Sequence, residues 1–179
     1  MVFLTQHNSL CGNMQDVHFK SGNKEWETPE AFFKTYEKEF NIKLDVCATA
    51  ANAKCKAFFD KKVNGLHASW SLVNDIVSHG EAACWMNPPY GRGIEKWVKK
   101  AYDESLKGVT TVALLPARTD TSWFHNYIYN KHEVRFLKGR IKFVDAPSSA
   151  PFPSMIVIFS TKETNSIKSI WKKLKLLSR

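Results

Sequence analysis

Residues 82–116 read AACWMNPPYGRGIEKWVKKAYDESLKGVTTVALLP, and the fold follows outward from this stretch. Residues 82–87 form an apolar run of strand length that stops at Pro88 and Pro89, because proline has no N–H to give to a sheet ladder. From about residue 94 to 106 the apolar side chains Ile94, Trp97, Val98 and Ala101 recur at i, i+3, i+4 and i+7, while Lys96, Lys99, Lys100 and Asp103 lie elsewhere, which predicts an amphipathic helix. Residues 109–115 (VTTVALL) form a second β-prone run, broken by Pro116. Strand, helix and strand in that order predict an α/β domain with a mainly parallel, helix-covered sheet.

The flanks extend the pattern. Upstream, a helix is expected from about residue 29 to 40: Thr28 suits the N-cap, Pro29 the first helical position and Glu30 the dipole, with Phe32, Phe33, Tyr36 and Phe40 on one face. Residues 42–47 (IKLDVC) read as a strand with Asp45 near its carboxyl end, and the small residues 48–52 are expected to turn into a helix. Downstream, residues 134–137 and 154–159 read as strands, and residues 165–177 as a closing helix with Ile167, Ile170, Trp171 and Leu174 on one side. Residues 1–24 are polar and aperiodic and read as a loose arm; residues 25–179 show no repeat or linker and read as one domain. Ligands of such sheets bind beyond the carboxyl ends of the strands, so Asp45, Asn87 and Pro116 are expected to border one crevice.

Composition excludes several classes. With 44% apolar and 13% aromatic residues among 179, the chain has the means for a packed core and is no disordered tail. It shows neither an apolar membrane span nor a signal peptide, so a cytoplasmic protein is expected. Cys11, Cys47, Cys55 and Cys84 have no zinc-finger or disulfide-framework spacing, and no metal is expected. Residues 1–90 hold 9 Lys/Arg and 10 Asp/Glu, whereas residues 91–179 hold 17 and 7, so a net charge of +9 sits almost wholly in the second half. That asymmetry suits a polyanionic partner, with Arg118, Arg140 and Lys142 as candidate phosphate or base contacts.

Asn87-Pro88-Pro89-Tyr90 carries the chemistry. Two prolines stiffen the loop and hold the residue before them extended. What the loop can aim is an Asn side-chain oxygen, a proline-terminated carbonyl and a phenol ring: two acceptors beside a stacking platform. This suits a planar aromatic bearing an NH₂ group. The acceptors take both amine hydrogens and draw the nitrogen toward sp³ character, freeing its lone pair to attack an electrophile.

With these residues in view, the chain resembles the S-adenosylmethionine-dependent amino-methyltransferases, and in particular the small phage and prophage DNA adenine-N6 methyltransferases. The resemblance runs from about Glu25 to Phe159. It rests on Trp26-Glu27-Thr28-Pro29, Leu44-Asp45-Val46-Cys47-Ala48, Trp85 to Gly91 around the NPPY, Leu115 to Thr121, and Arg135 to Phe143. It implies a class I methyltransferase (Rossmann-like) fold: a seven-stranded, mainly parallel sheet ending in a reversed hairpin, with helices on both faces.

It further implies S-adenosylmethionine as cofactor and double-stranded DNA as substrate, with the target base flipped out of the duplex. In the catalytic set Asn87, Pro88, Pro89 and Tyr90, the first two would hold the adenine amine and Tyr90 would stack on the ring. Cofactor contacts are expected from Trp26, Thr28 and Pro29, from Asn87, and from Asp45 and Ala48, the last lying where the wider superfamily carries glycine. Asp45 would hold the methionine ammonium by a charged hydrogen bond. Cytosine-N4 or RNA methylation, and a non-catalytic nucleic-acid-binding domain, are the alternatives that the same motif allows.

Overall fold

The computed structural model describes residues 26–72, 75 and 82–161. The expected arm at residues 1–24 and the closing helix at residues 165–177 fall outside them. In chain order the elements are α1 (Glu30–Phe40), β1 (Ile42–Asp45), β2 (Ala57–Phe58), β3 (Ala83–Met86), α2 (Ile94–Ser105), β4 (Thr111–Pro116), α3 (Ser122–Tyr127), β5 (Glu133–Phe136) and β6 (Ser154–Phe159). They build a six-stranded sheet in the order β2-β1-β3-β4-β6-β5. The pairs from β2 to β4 are parallel, and β6 runs antiparallel to both β4 and β5. The described residues thus hold six strands where seven were expected, with the reversed strand in place.

Every residue of β3, β4 and β6 is buried. A strand covered on both faces is apolar along most of its length, which is why these segments, apart from Thr111 and Ser154 at two strand starts, read as apolar runs and not as an alternation. One cover is α1, whose Phe33 meets Trp85 of β3 edge-on at 5.3 Å between ring centroids. Asn41 takes left-handed backbone angles (φ 52°, ψ 51°) and ends α1, so the chain turns into β1 within one residue. The Arg135 guanidinium of β5 grips the Glu39 carboxylate of α1 through two hydrogen bonds, 2.7 and 2.8 Å. In α2 the buried side chains include Ile94, Val98 and Ala101, as the periodicity predicts, together with Glu104, which accepts from Lys100 (2.8 Å) and Lys107 (3.0 Å).

Two local readings are corrected. Pro29, not Thr28, occupies the N-cap of α1, and no side chain caps that terminus. Residues 48–52 form a turn, not a helix: the Asn52 side-chain oxygen accepts from both the Thr49 N–H (2.7 Å) and the Thr49 hydroxyl (3.0 Å). Short polar side chains that bond nearby backbone compete with helix formation in this way.

The chain passes from β1 to β2 on one side and returns to β3 on the other. The order reverses at β1, and the carboxyl ends of β1 and β3 flank the crevice that such a reversal opens.

Burial, more than charge pairing, is what holds these layers together. Leu114→Ala in β4 is expected to lower unfolding free energy by about 2–5 kcal/mol, and Arg135→Ala, whose ion pairs are partly solvated, by less than about 1 kcal/mol. Urea unfolding monitored by tryptophan fluorescence checks the contrast; equal losses would contradict it.

Candidate active site

The segment after β3 sets the geometry. Asn87 leaves the strand end and extends back to the chain just before α1, where its Nδ2 donates to the Trp26 carbonyl and, at 3.0 Å, to the Thr28 hydroxyl oxygen. A carbonyl only accepts, so the amide must turn its NH₂ toward Trp26 and its oxygen the other way. That oxygen, Oδ1, is buried and has no hydrogen-bond partner among the described residues. A buried acceptor left open is costly unless a ligand fills it. Pro88, also buried, follows directly.

Asn87 lies on the wall of a cavity of about 260 Å³ at the β1/β3 strand ends. Its lining includes Trp26, Thr28, Asp45, Ala48, Asp60 and Trp97. Asp45 is 2% exposed, and its two carboxylate oxygens accept from the N–H groups of Cys47 (3.2 Å) and Lys54 (3.1 Å). The carboxylate therefore braces the whole loop after β1 while facing the cavity. Burial pushes its pKa up to about 6, against the pull of those two N–H groups and the Lys54 charge. Asp60, just past β2, accepts from the N–H groups of Lys62 and Val63, both at 2.9 Å, through one oxygen. The Val63 N–H leads in holding its carboxyl below the usual range.

Gly65 closes the floor. A Cβ there would collide with the Val46 carbonyl oxygen and come within 3.2 Å of the Trp97 ring, so only glycine fits.

A second cavity, about 430 Å³, lies on the other side of Trp26, which lines both. Tyr90, Arg92, Arg118, Trp123 and Phe152 are among its walls. Tyr90 is 5% exposed; its hydroxyl donates to the Leu114 carbonyl at 3.1 Å, and its ring packs edge-on with Phe152, centroids 5.5 Å apart. Burial raises the Tyr90 phenol far above its ordinary pKa, so it stays neutral. Asn87, Pro88 and Pro89 thus face the first cavity and Tyr90 the second, and the NPPY loop with Trp26 forms the partition.

Of the residues singled out in the sequence, Trp26, Thr28, Asp45, Ala48 and Asn87 converge on the first cavity, and Tyr90 and Arg118 on the second. Pro29 lies outside both linings, its carbonyl engaged by the Phe33 N–H at 3.1 Å. Pro116 and the exposed Arg140 and Lys142 line neither cavity. Sequence reasoning missed Asp60, Gly65 and Phe152. An acidic residue directly after the Ala-Phe-Phe run and a glycine before Trp70 were the available signals, but a two-residue strand is too short to show periodicity.

The fold and site define a class: an α/β sheet protein whose strand ends hold a fixed amide oxygen and a proline pair beside a cavity, with a second cavity adjoining. A family model described as DNA N-6-adenine-methyltransferase (Dam) matches residues 17–178. The DNA N-6-adenine-methyltransferase of Haemophilus phage HP1 (strain HP1c1) is 32% identical over 164 residues, which cover 87% of this chain and 90% of the phage protein. The DNA N-6-adenine-methyltransferase of Escherichia phage T1 is 28% identical over 115 residues, covering 64% of this chain and 44% of that relative. The chain belongs to the DNA N-6-adenine-methyltransferase (Dam) family.

The raised pKa of Asp45 has a thermodynamic sign. Between the unfolded value of 3.8 and about 6 the folded state holds a proton that the unfolded state has lost, so stability falls as pH rises through this window. The expected loss from this group is roughly 3 kcal/mol, and unfolding free energies of wild type and Asp45→Asn measured from pH 4 to 7 test it. The wild-type slope should be steeper downward; parallel curves would show that the Asp45 carboxyl titrates normally.

Proposed function

We propose that this protein transfers a methyl group from S-adenosylmethionine to the N6 amine of adenine in double-stranded DNA, on a class I methyltransferase fold, with the target base turned out of the duplex. The observation that carries this reading is the buried, unpartnered Oδ1 of Asn87, fixed as an acceptor by the two bonds of its own NH₂ group. An oxygen so placed calls for a hydrogen-bond donor, which an exocyclic amine supplies, and the carbonyl of the neighbouring Pro88 would serve as the second acceptor. Membership of the Dam family and the names of the two phage relatives favour adenine in DNA over cytosine or RNA. The reversed β6 between β4 and β5 supports the class I assignment.

The residues of the first cavity fit the cofactor. Asp45 and Asp60 supply carboxylates to a ligand bearing an ammonium and hydroxyl groups, and Trp26 and Trp97 supply aromatic walls to a cationic, partly apolar one. When bound, S-adenosylmethionine supplies a methyl group already activated by a sulfonium. The protein's part is then positioning. Asn87 Oδ1 and the Pro88 carbonyl hold the amine and raise the electron density on its nitrogen. Tyr90, anchored through its hydroxyl, offers its ring as a wall for the base in the second cavity. Bringing the reactants into one geometry lowers the barrier by several kcal/mol without a metal or covalent nucleophile being called for.

Base flipping needs a grip on the backbone, and Arg118 stands exposed at the second cavity. Arg140 and Lys142, exposed on the connection between β5 and β6, are further candidates for phosphate contacts away from the two cavities.

Labelled S-adenosylmethionine and unmethylated duplex DNA, followed by digestion to nucleosides and chromatography, test the reaction. Labelled N6-methyladenine is expected. Label in N4-methylcytosine would overturn the base assignment, and no label on DNA would overturn the activity. Asn87→Ala should reduce turnover by about 10²–10³, the effect of losing one preorganised hydrogen-bonding group at a reacting centre; near wild-type turnover would refute the amine-holding role. For DNA binding, Arg118→Ala should reduce the slope of log affinity against log salt by about 1. An unchanged slope would place Arg118 away from phosphate.

A further inference from the structure

We propose that Thr28 is a positioning residue for methyl transfer: its hydroxyl oxygen holds the Asn87 amide so that Oδ1, and not Nδ2, faces the target amine. The inference rests on the function proposed above and deepens it. An Asn side chain is nearly symmetric in shape, and a half-turn of its amide exchanges an acceptor for two donors. A donor turned toward an amine cannot receive it. The orientation of this one group therefore decides whether the site works.

The Trp26 carbonyl, which can only accept, selects that orientation, and the Thr28 hydroxyl, by taking the second N–H, holds it there. The Trp26 carbonyl takes one Asn87 N–H and the Thr28 hydroxyl oxygen takes the other at 3.0 Å. Thr28 is 2% exposed, so water has little access to stand in for it. Sequence logic assigns a Thr before a helix to the cap, yet the Thr28 side chain makes no cap bond to α1. Its oxygen is turned toward the site instead.

The segment that carries Thr28 is itself tied down on both sides. The Glu27 carbonyl accepts the Val144 N–H at 3.0 Å. The Glu27 carboxylate pairs at 3.1 Å with Lys54, whose side chain is 9% exposed, and the Lys54 N–H is the one that Asp45 holds. Residues 26–28 thus form a strap from the cavity loop to the loop after β3, and Thr28 is the point where the strap meets the acceptor.

Three variants of the full chain separate this role from a structural one. Thr28→Val keeps the shape and removes the oxygen, while Thr28→Ser and Thr28→Ala differ from each other by that oxygen alone. Thr28→Val and Thr28→Ala should lower kcat about ten-fold with KM for S-adenosylmethionine within about two-fold, and Thr28→Ser should restore kcat. Wild-type kcat in Thr28→Val, a parallel loss in Thr28→Ser, or a change confined to KM would overturn the proposal.

A readout independent of turnover keeps the two readings apart. The Asn87 Nδ2 protons should exchange slowly with solvent by NMR in wild type and Thr28→Ser, and faster in Thr28→Val. Equal exchange in all three would overturn the positioning role even if DNA is methylated. Protected protons in a wild type that methylates no DNA would overturn the proposed function and leave the hold of Thr28 on Asn87 standing.

Discussion

The two hydrogen bonds given by the Asn87 amide join parts of the chain 61 and 59 residues apart in sequence. They fasten the segment before α1 to the end of β3 and, in doing so, consume every donor of the side chain. The remaining oxygen is left buried and open. Much of the site depends on this clasp. Trp26 becomes the partition between two cavities because its carbonyl is held at the strand end, and the NPPY loop faces both because it starts from that fixed point. An unpartnered buried acceptor opposes folding, and the buried strands around it supply the stability that lets the chain keep it.

Asp45 shows the same exchange of stability for readiness. Its carboxylate is nearly dry, and two backbone N–H bonds and the Lys54 charge offset only part of the desolvation, so its pKa stands at about 6. A cationic group entering the cavity would relieve that cost and return the carboxyl to its charged form. The brace that shapes the loop is thus also the group best placed to reward a positively charged ligand.

How legible was this in the sequence? Residues 154–159 were read with the bounds that β6 shows, and β3, α2 and β4 differ from expectation by a residue or two at their ends, because continuous apolar runs and a 3.6-residue period report burial directly. β2 and α3 were not read, since two and six residues are too few to display a period. The helix expected at residues 48–52 lost to a side-chain turn: Thr49 and Asn52 satisfy each other, a pairing that composition does not announce. Trp97, on the apolar face of α2 that the period defines, packs against the core and also lines the first cavity, a second role that the period does not announce.

The sequence by itself determined the α/β class, the stiffness of the NPPY loop and the identity of the acceptors, because these depend on covalent geometry and on periodicity within about a dozen residues. Only the tertiary structure decided which way the Asn87 amide points, that the Thr28 hydroxyl bonds Asn87 and not the helix end, that Gly65 and Asp60 line the cavity, and that Pro29 does not. The Asn87 amide, Thr28 and Gly65 are settled by partners distant in sequence, Trp26 and Thr28 for the first, Asn87 for the second and Val46 and Trp97 for the third. Such contacts depend on where the β1/β3 reversal places the strand ends, and no local pattern encodes that placement.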